Sequence, residues 1–182
     1  MFVKHIRPLD IDFSIMELKK LDSNLIKLFD SITVKALSPE NNYFKALTRA
    51  VIYQQLSGKA AKKIHHRFMS IYKGHSYPDP DEVLNTELDI LRSVGLSKNK
   101  AIYIKNIANA FIDEPDNYNN LHLMKDQEII DTLIKINGVG LWTAQMFLMF
   151  TMNRPDIFPA TDLGIQKGYK CFYGLEKLPS PE

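Results

Sequence analysis

The stretch INGVGLWTAQMF, residues 136–147, places two glycines one residue apart between two apolar segments and follows them with the only tryptophan of the chain. Gly138 and Gly140 permit backbone angles and close approaches that side chains forbid, which predicts a tight turn between two helices. Backbone N–H groups from Gly138 to Trp142 would then point outward at a helix start, where the helix dipole favours an anion such as a phosphate. An ordinary helix–helix turn is the alternative.

Helical periodicity continues through most of the chain. Apolar residues recur at spacings of three and four on both sides of QQLSG within residues 44–71, which predicts two amphipathic helices. Pro115 and the NYNN run after it indicate a loop, and Asp126 is the predicted N-cap of the helix before the two glycines. The first 30 residues suit a strand, a helix or both. No sustained polar–apolar alternation occurs, so the predicted fold class is all-α.

Composition excludes several classes of protein. A single cysteine, Cys171, excludes an intramolecular disulfide framework and a four-cysteine iron–sulfur cluster. No signal peptide or run of about 18 apolar residues is present, so we expect an intracellular protein, cytoplasmic in a prokaryote or nuclear in a eukaryote. The net charge is only +2, yet no acidic residue occurs between Glu40 and Asp79. That basic segment indicates either polyanion binding or a solvated lysine-rich helix face.

The motifs together resemble a known family. LIKINGVGLWTAQMFLMF, followed by DIFPATDLGIQKG, resembles the helix–hairpin–helix DNA glycosylases, in the 3-methyladenine DNA glycosylase II branch. AVIYQQLSGKAAKKI and VGLSKNKAIYI resemble the same branch. The resemblance implies two helical lobes flanking a DNA-binding cleft, within one domain spanning residues 1–182. The central lobe would hold approximately residues 40–120, and the second lobe residues 1–40 and 121–182.

Asp162 is the catalytic residue that the resemblance implies. Breaking a base–deoxyribose bond builds positive charge on the sugar, and a nearby carboxylate stabilises that charge. Alkylated purines such as 3-methyladenine, and also 7-methylguanine, already carry positive charge and leave without a general acid. From the residues alone, the favoured role of Asp162 is an N-cap of the following helix, and both roles are compatible.

Trp142 occupies the position where strand-cutting relatives carry a lysine nucleophile, two residues after the second glycine. Tryptophan cannot form a Schiff base with the sugar, so the resemblance implies a monofunctional enzyme that leaves the strand intact. The indole offers an electron-rich face to a cationic base, with core packing as the alternative. Met146, one helical turn further, lines the same base pocket or fills the core.

The resemblance also implies a DNA-binding surface. Gln55 or Leu56, with Ser57 beside them, would form a wedge that fills the space left by an extruded nucleotide, unless QQLS is a plain turn with a buried leucine. The predicted DNA contacts come from the hairpin and from lysines: Gly138, Val139, Gly140, Thr143, Lys59, Lys63, Lys98 and Lys100, with Lys62 near phosphates and Lys167 a weaker candidate. Backbone carbonyls of Ile134, Ile136 and Val139 would hold Na⁺ or K⁺, and no other cofactor is expected.

This sequence departs from the family at both ends. Only about 40 residues precede the matching region, so the N-terminal α/β domain of some relatives is expected to be absent. LPSPE ends the chain with a helix-entry signal at Ser180 and Pro181, which predicts a truncated C-terminal helix. The predicted partner is duplex DNA carrying damaged bases, bound by a monomer with no membrane association. A non-catalytic DNA-binding module is the main alternative to the enzyme, and a strand-cutting lyase or a helical domain unrelated to DNA are further ones.

Overall fold

The computed structural model describes residues 10–72 and 76–181, and all regular structure in these ranges is helical, which confirms the predicted all-α class. The described ranges contain eleven α-helices and a 3₁₀ turn at Leu121–Leu123. The helices are α1 Ile11–Leu21, α2 Asn24–Ser31, α3 Tyr43–Tyr53, α4 Gly58–Ile71, α5 Pro80–Asn85, α6 Leu88–Ser93, α7 Lys98–Asp113, α8 Pro115–Asn119, α9 Asp126–Leu133, α10 Leu141–Phe150 and α11 Leu163–Tyr173.

Helices α3 and α7 form the centre of the core. Helix α7 packs against α3, α5, α6 and α8, and α3 also contacts α4 and α10. Both helices present apolar residues at helical spacing, with Leu47 and Val51 of α3 and Ile104 and Ile107 of α7 fully buried. The same core includes Leu133 of α9 and residues of α10, so buried packing continues across residue 120.

The N-terminal segment is helical where the structure describes it. Helices α1 and α2 pack on each other and contribute no fully buried residue, and neither does α11. The Tyr173 hydroxyl of α11 donates a 2.5 Å hydrogen bond to the Asp22 carboxylate, which joins α11 to the α1–α2 connection. These three helices therefore form a layer outside the main core.

Two local predictions need correction. Pro115 begins the short helix α8 instead of a loop, because proline suits the first helical turn, where its missing N–H would have no partner. Asp126 is the first residue of α9, and the N-cap is Lys125, whose N–H donates to the Glu128 carboxylate at 2.8 Å.

Residues 178–181 carry no helix, so no helix begins at Ser180 within the described part of the chain. Among the residues described, no helix is both long and apolar enough to cross a membrane.

Candidate active site and nucleic-acid interface

The turn between α9 and α10, residues 134–140, requires one of its two glycines. Gly138 has φ +104°, and a Cβ there would lie 2.1 Å from the ring of Tyr103, so no larger residue fits. Gly140 has φ −89°, and a Cβ there would meet nothing within 4 Å. Of the two properties expected of these glycines, Gly140 therefore does not show the unusual backbone angle, but it leaves open space in front of the turn, where a close approach is possible.

Helix α10 begins at this turn with its N-terminal amides uncapped. Gly140 is the N-cap and offers no side chain to the first amides, so the amides of the first turn are available to an anion. The predicted row of donors is shorter than expected, because the Val139 N–H already donates to the Ile136 carbonyl at 2.9 Å. Thr143 is buried and its hydroxyl is bonded within the protein, so only its backbone amide is available for the predicted DNA contact.

Asp162 is held at the start of α11 in a fixed orientation. One carboxylate oxygen accepts the Ile165 N–H at 2.9 Å, which makes Asp162 the N-cap that the sequence allowed. The other oxygen accepts the indole N–H of Trp142 at 2.7 Å. The Ile165 amide and then the Trp142 indole hold the pKa of the Asp162 carboxyl below its ordinary value of 3.8. A carboxylate in this setting is ionised at neutral pH and is a weak base.

Trp142 connects Asp162 to a cavity of about 520 Å³ between α3 and α10. The indole is 39% exposed, so it is not a core residue, and its ring forms part of the cavity wall. Met146 also lines the cavity and is partly buried, and the buried core residue Phe147 lines it as well. A mostly apolar cleft of this size suits a flat organic ring such as a base.

The opposite wall of the cavity carries charges that sequence reasoning missed. Lys45, Arg49 and Tyr53 project from one face of α3 at spacings of four, and the Arg49 guanidinium lies 5.3 Å from the centre of the Tyr53 ring. Lys45 forms an ion pair with Glu40 at 2.5 Å. The spacing of four was a readable signal for a shared helix face, but the sequence did not show that α10 would lie opposite it.

The connection between α3 and α4 presents the predicted wedge. Gln55 lies in this turn, is exposed, and adopts φ +53°, a left-handed conformation that is uncommon for glutamine. Leu56 is 39% exposed, so it is not the buried leucine of a plain turn. Ser57 N-caps α4 through a 3.4 Å hydrogen bond from the Ala60 N–H. Gln55 and Leu56 are thus both exposed, which the predicted wedge requires, and Ser57 has a structural role beside them.

Comparison with known proteins decides the family. Residues 48–182 match the HhH-GPD superfamily of base excision DNA repair proteins, which is most of the chain and includes the turn, the wedge and Asp162. The chain belongs to the HhH-GPD superfamily. This finding confirms the resemblance that the sequence motifs indicated.

Individual HhH-GPD relatives support the same assignment. DNA-3-methyladenine glycosylase 1 of Schizosaccharomyces pombe is 35% identical over 169 residues, or 91% of this chain and 74% of the relative. An alkylbase DNA glycosidase-like protein of the same organism is 30% identical over 88% of this chain and 76% of the relative. The solved structure of the S. pombe 3-methyladenine DNA glycosylase in complex with abasic DNA has a TM-score of 0.84 and 34% identity, covering 93% of this chain and 84% of that chain.

Five basic side chains from the segment between Glu40 and Asp79 form one exposed surface of α4 in this HhH-GPD protein. Lys59, Lys62 and Lys63 line a shallow groove together with His66 and Arg67, while Phe68 of the same helix is buried. The prediction that these lysines face outward agrees with this arrangement. Lys98, at the start of α7, and Lys167 in α11 are also exposed.

Lys100 differs from the other lysines of the predicted DNA surface. Lys100 is partly buried, and its ammonium group donates to the carbonyl oxygens of Ile52 at 2.8 Å and Gln54 at 2.6 Å. Burial lowers the pKa of Lys100. Two of its three donors are thus used inside the protein, which does not suit the phosphate contact that the resemblance implied.

Substituting Trp142 with phenylalanine separates the two contributions of the indole in this HhH-GPD protein. Phenylalanine keeps an aromatic face on the cavity but removes the donor to Asp162, and we expect the single-turnover rate of base release to fall about 10-fold, corresponding to ~1.4 kcal/mol. Alanine removes both contributions and is expected to lower the rate further. A phenylalanine variant as fast as wild type would show that the hydrogen bond to Asp162 has no role in the reaction.

Proposed function

We propose that this protein is a monofunctional DNA glycosylase that excises alkylated purines, chiefly 3-methyladenine and also 7-methylguanine, from duplex DNA. The single observation that carries the proposal is the oriented Asp162 carboxylate. It accepts a hydrogen bond from Trp142, which lines the cavity and lies in the first turn of α10. The S. pombe relatives support it, since one is named a 3-methyladenine glycosylase and the solved one binds abasic DNA.

Binding begins with the sugar–phosphate backbone. The uncapped amides at the start of α10 receive a phosphate, and the open space in front of Gly140 allows it to approach. Gln55 or Leu56 occupies the space that the nucleotide leaves when it turns out of the duplex. The extruded base enters the cavity between α3 and α10 and stacks on Trp142, whose electron-rich face attracts the cationic ring.

Asp162 then stabilises the positive charge that develops on deoxyribose as the bond between C1′ and the base nitrogen breaks. The bonding electrons leave with the cationic alkylpurine, which departs as a neutral base. A water molecule adds to C1′ and loses its proton to solvent, which leaves an abasic site. The low pKa of Asp162 favours this electrostatic role over deprotonation of water.

Strand cleavage is not part of the proposed reaction. A lyase needs an amine that attacks C1′, and the residue beside Asp162 is Trp142, which has no such group. We expect borohydride to trap no covalent adduct between the protein and its DNA. An adduct would replace the monofunctional mechanism with that of a lyase.

A monovalent cation, Na⁺ or K⁺, is proposed at the hairpin. The carbonyls of Ile134, Ile136 and Val139 belong to one turn and supply only oxygen ligands, which suits a hard cation, although the Ile136 oxygen already accepts one hydrogen bond. Such an ion adds positive charge near the bound phosphate. We further propose that the protein acts as a monomer in the compartment that holds the DNA.

The experiment that tests the function is incubation with methylated duplex DNA, followed by measurement of free base and of alkali-labile sites. We expect both to appear in equal amounts and no strand break without alkali. Binding to the duplex without base release would instead support the alternative, a non-catalytic helix–hairpin–helix module.

The α4 surface gives a quantitative prediction for DNA affinity. Removal of one lysine–phosphate interaction lowers the slope of log K against log salt by about 0.9, so alanine at both Lys59 and Lys63 is expected to reduce the slope by roughly 2. The measurement is a salt titration of duplex affinity with wild type and variant, with alanine at Lys27, an exposed lysine of α2, as the control. An unchanged slope in the double variant would show that α4 does not contact the backbone.

A further inference from the structure

The turn that carries the wedge, residues 54–57, is held in a conformation that its own residues do not favour. Gln55 has φ +53°, although neither glycine nor asparagine stands there. The backbone turns at once from the end of α3 into α4, and Gln55 and Leu56 are exposed. Contacts from outside this turn must therefore keep it in place.

Lys100 makes the first of these contacts. Its ammonium group reaches from the first turn of α7 to the carbonyls of Ile52 and Gln54, at 2.8 Å and 2.6 Å. Ile52 belongs to the last turn of α3, where carbonyls lack helical partners, and Gln54 is the C-cap. The helix dipole favours a cation at a helix C-terminus. The contact therefore stabilises the end of α3, where the wedge turn begins.

The side chain of Gln54 makes the second contact. Its amide nitrogen donates to the Thr143 hydroxyl at 3.0 Å and, at 3.4 Å, to the Gly138 carbonyl. Gly138 lies against the ring of Tyr103, which belongs to α7 and lies three residues after Lys100. Because residues three apart share a helix face, one face of α7 supports both the wedge turn and the hairpin.

We propose that Lys100 and Gln54 are positioning residues, which hold the wedge turn in register with the hairpin so that the nucleotide is extruded where its sugar meets Asp162. The proposal rests on the proposed function, and it gives Lys100 a role other than a phosphate contact. Lys100 thus connects α7 to the wedge turn, the Gln54 side chain connects the wedge turn to the hairpin, and Tyr103 packs the hairpin against α7. Loss of the Lys100 or Gln54 side chain removes one of these contacts without removing a group that touches DNA.

The test compares Lys100→Met, which keeps the length of the stem but loses the donors, with Lys100→Arg, which restores them. Extrusion is followed by the fluorescence of 2-aminopurine placed beside a hydrolysis-resistant 2′-fluorinated alkylpurine, so this measurement requires no base release. Duplex affinity, its salt dependence and single-turnover rates are measured in parallel, and thermal unfolding verifies that each variant is folded. Lys105→Met is the matched control, because Lys105 is a partly buried lysine of the same helix that also donates to a backbone carbonyl, that of Leu84 in α5 at 2.7 Å, and not to the wedge turn.

We expect Lys100→Met to reduce extrusion, and the release of a base-paired lesion, by about 10-fold to 100-fold. Release from single-stranded DNA, where no extrusion is needed, should change far less, and Lys100→Arg should recover most of the loss. Duplex affinity and the salt slope should stay at the wild-type values. Gln54→Leu is expected to show the same pattern.

Two results would overturn the positioning role. Weaker duplex binding with a salt slope lower by about 1, and unchanged extrusion, would make Lys100 a phosphate contact. Unchanged extrusion together with unchanged binding would remove any role for Lys100 in the reaction. A wild type that extrudes the base but releases none from a hydrolysable substrate would contradict the proposed function alone, since the extrusion measurement tests the positioning role separately.

Discussion

Asp162→Asn is expected to lower the single-turnover rate of base release at least about 100-fold, the range found when a charge-stabilising group is removed from an active site. Asparagine is nearly the same size and is an equally good N-cap, so the bond from the Ile165 N–H is expected to remain and α11 to stay folded. The negative charge facing the sugar is lost. The substitution therefore tests the charge and not the structure.

Two controls complete this prediction. Asp162→Ala removes the cap as well as the charge and should cost about 1 kcal/mol of unfolding free energy that asparagine does not. Duplex affinity should remain near that of wild type in both variants. Because the pKa of Asp162 is held below 3.8, the carboxylate keeps its charge as the pH falls from 8 to 5, so the rate should show no loss from its protonation in that range. Equal rates for wild type and Asp162→Asn would remove Asp162 from the mechanism.

Gly138→Ala is expected to be the most destabilising of the substitutions considered. Alanine is strained at φ +104°, and its Cβ would lie 2.1 Å from the Tyr103 ring, so the hairpin or α7 would have to move. We expect a loss of roughly 3–4 kcal/mol of unfolding free energy, combining ~1 kcal/mol of backbone strain with overpacking. The melting temperature should fall by roughly 10 °C.

Gly140→Ala is the matched comparison two residues away. Its backbone conformation is open to any residue and no atom lies within 4 Å of the new Cβ, so the melting temperature should hardly change. The methyl group would occupy the space through which a phosphate approaches the α10 amides, so duplex affinity is expected to fall about 10-fold, or ~1.4 kcal/mol. A melting temperature of Gly138→Ala equal to that of wild type would contradict the structural role of Gly138. An unchanged duplex affinity of Gly140→Ala would contradict the role of Gly140 in the approach of the phosphate.

The sequence predicted the fold class and the family because both depend on local patterns. Apolar residues at spacings of three and four predict helices. The two-glycine turn, followed by Asp162 twenty residues after Trp142, indicated the family. The joint role of Asp162 as cap and oriented carboxylate was also foreseeable, since helix entry places an aspartate at a defined point. Its second partner, the indole of Trp142, lies across a tertiary contact that no local pattern encodes.

The errors have the same origin. Gly140 was expected to adopt a backbone angle that side chains forbid, but φ depends on the turn that forms and not on the residue type. Lys100 was assigned to the DNA surface because the sequence does not show that its ammonium group donates to backbone carbonyls of the folded protein. Gln54 was overlooked because its partners are 84 and 89 residues away. Hydrogen bonds between distant elements are visible only once those elements are packed.

The most direct test of the central claim is a comparison of two abasic duplexes, one carrying a cationic azaribose and the other a neutral tetrahydrofuran at the same site. Wild type should bind the cationic duplex about 10-fold or more tightly than the neutral one, because the azaribose imitates the charge of the transition state. Asp162→Asn should bind both with equal affinity. An undiminished preference for the cation in Asp162→Asn would show that this carboxylate does not face the extruded sugar.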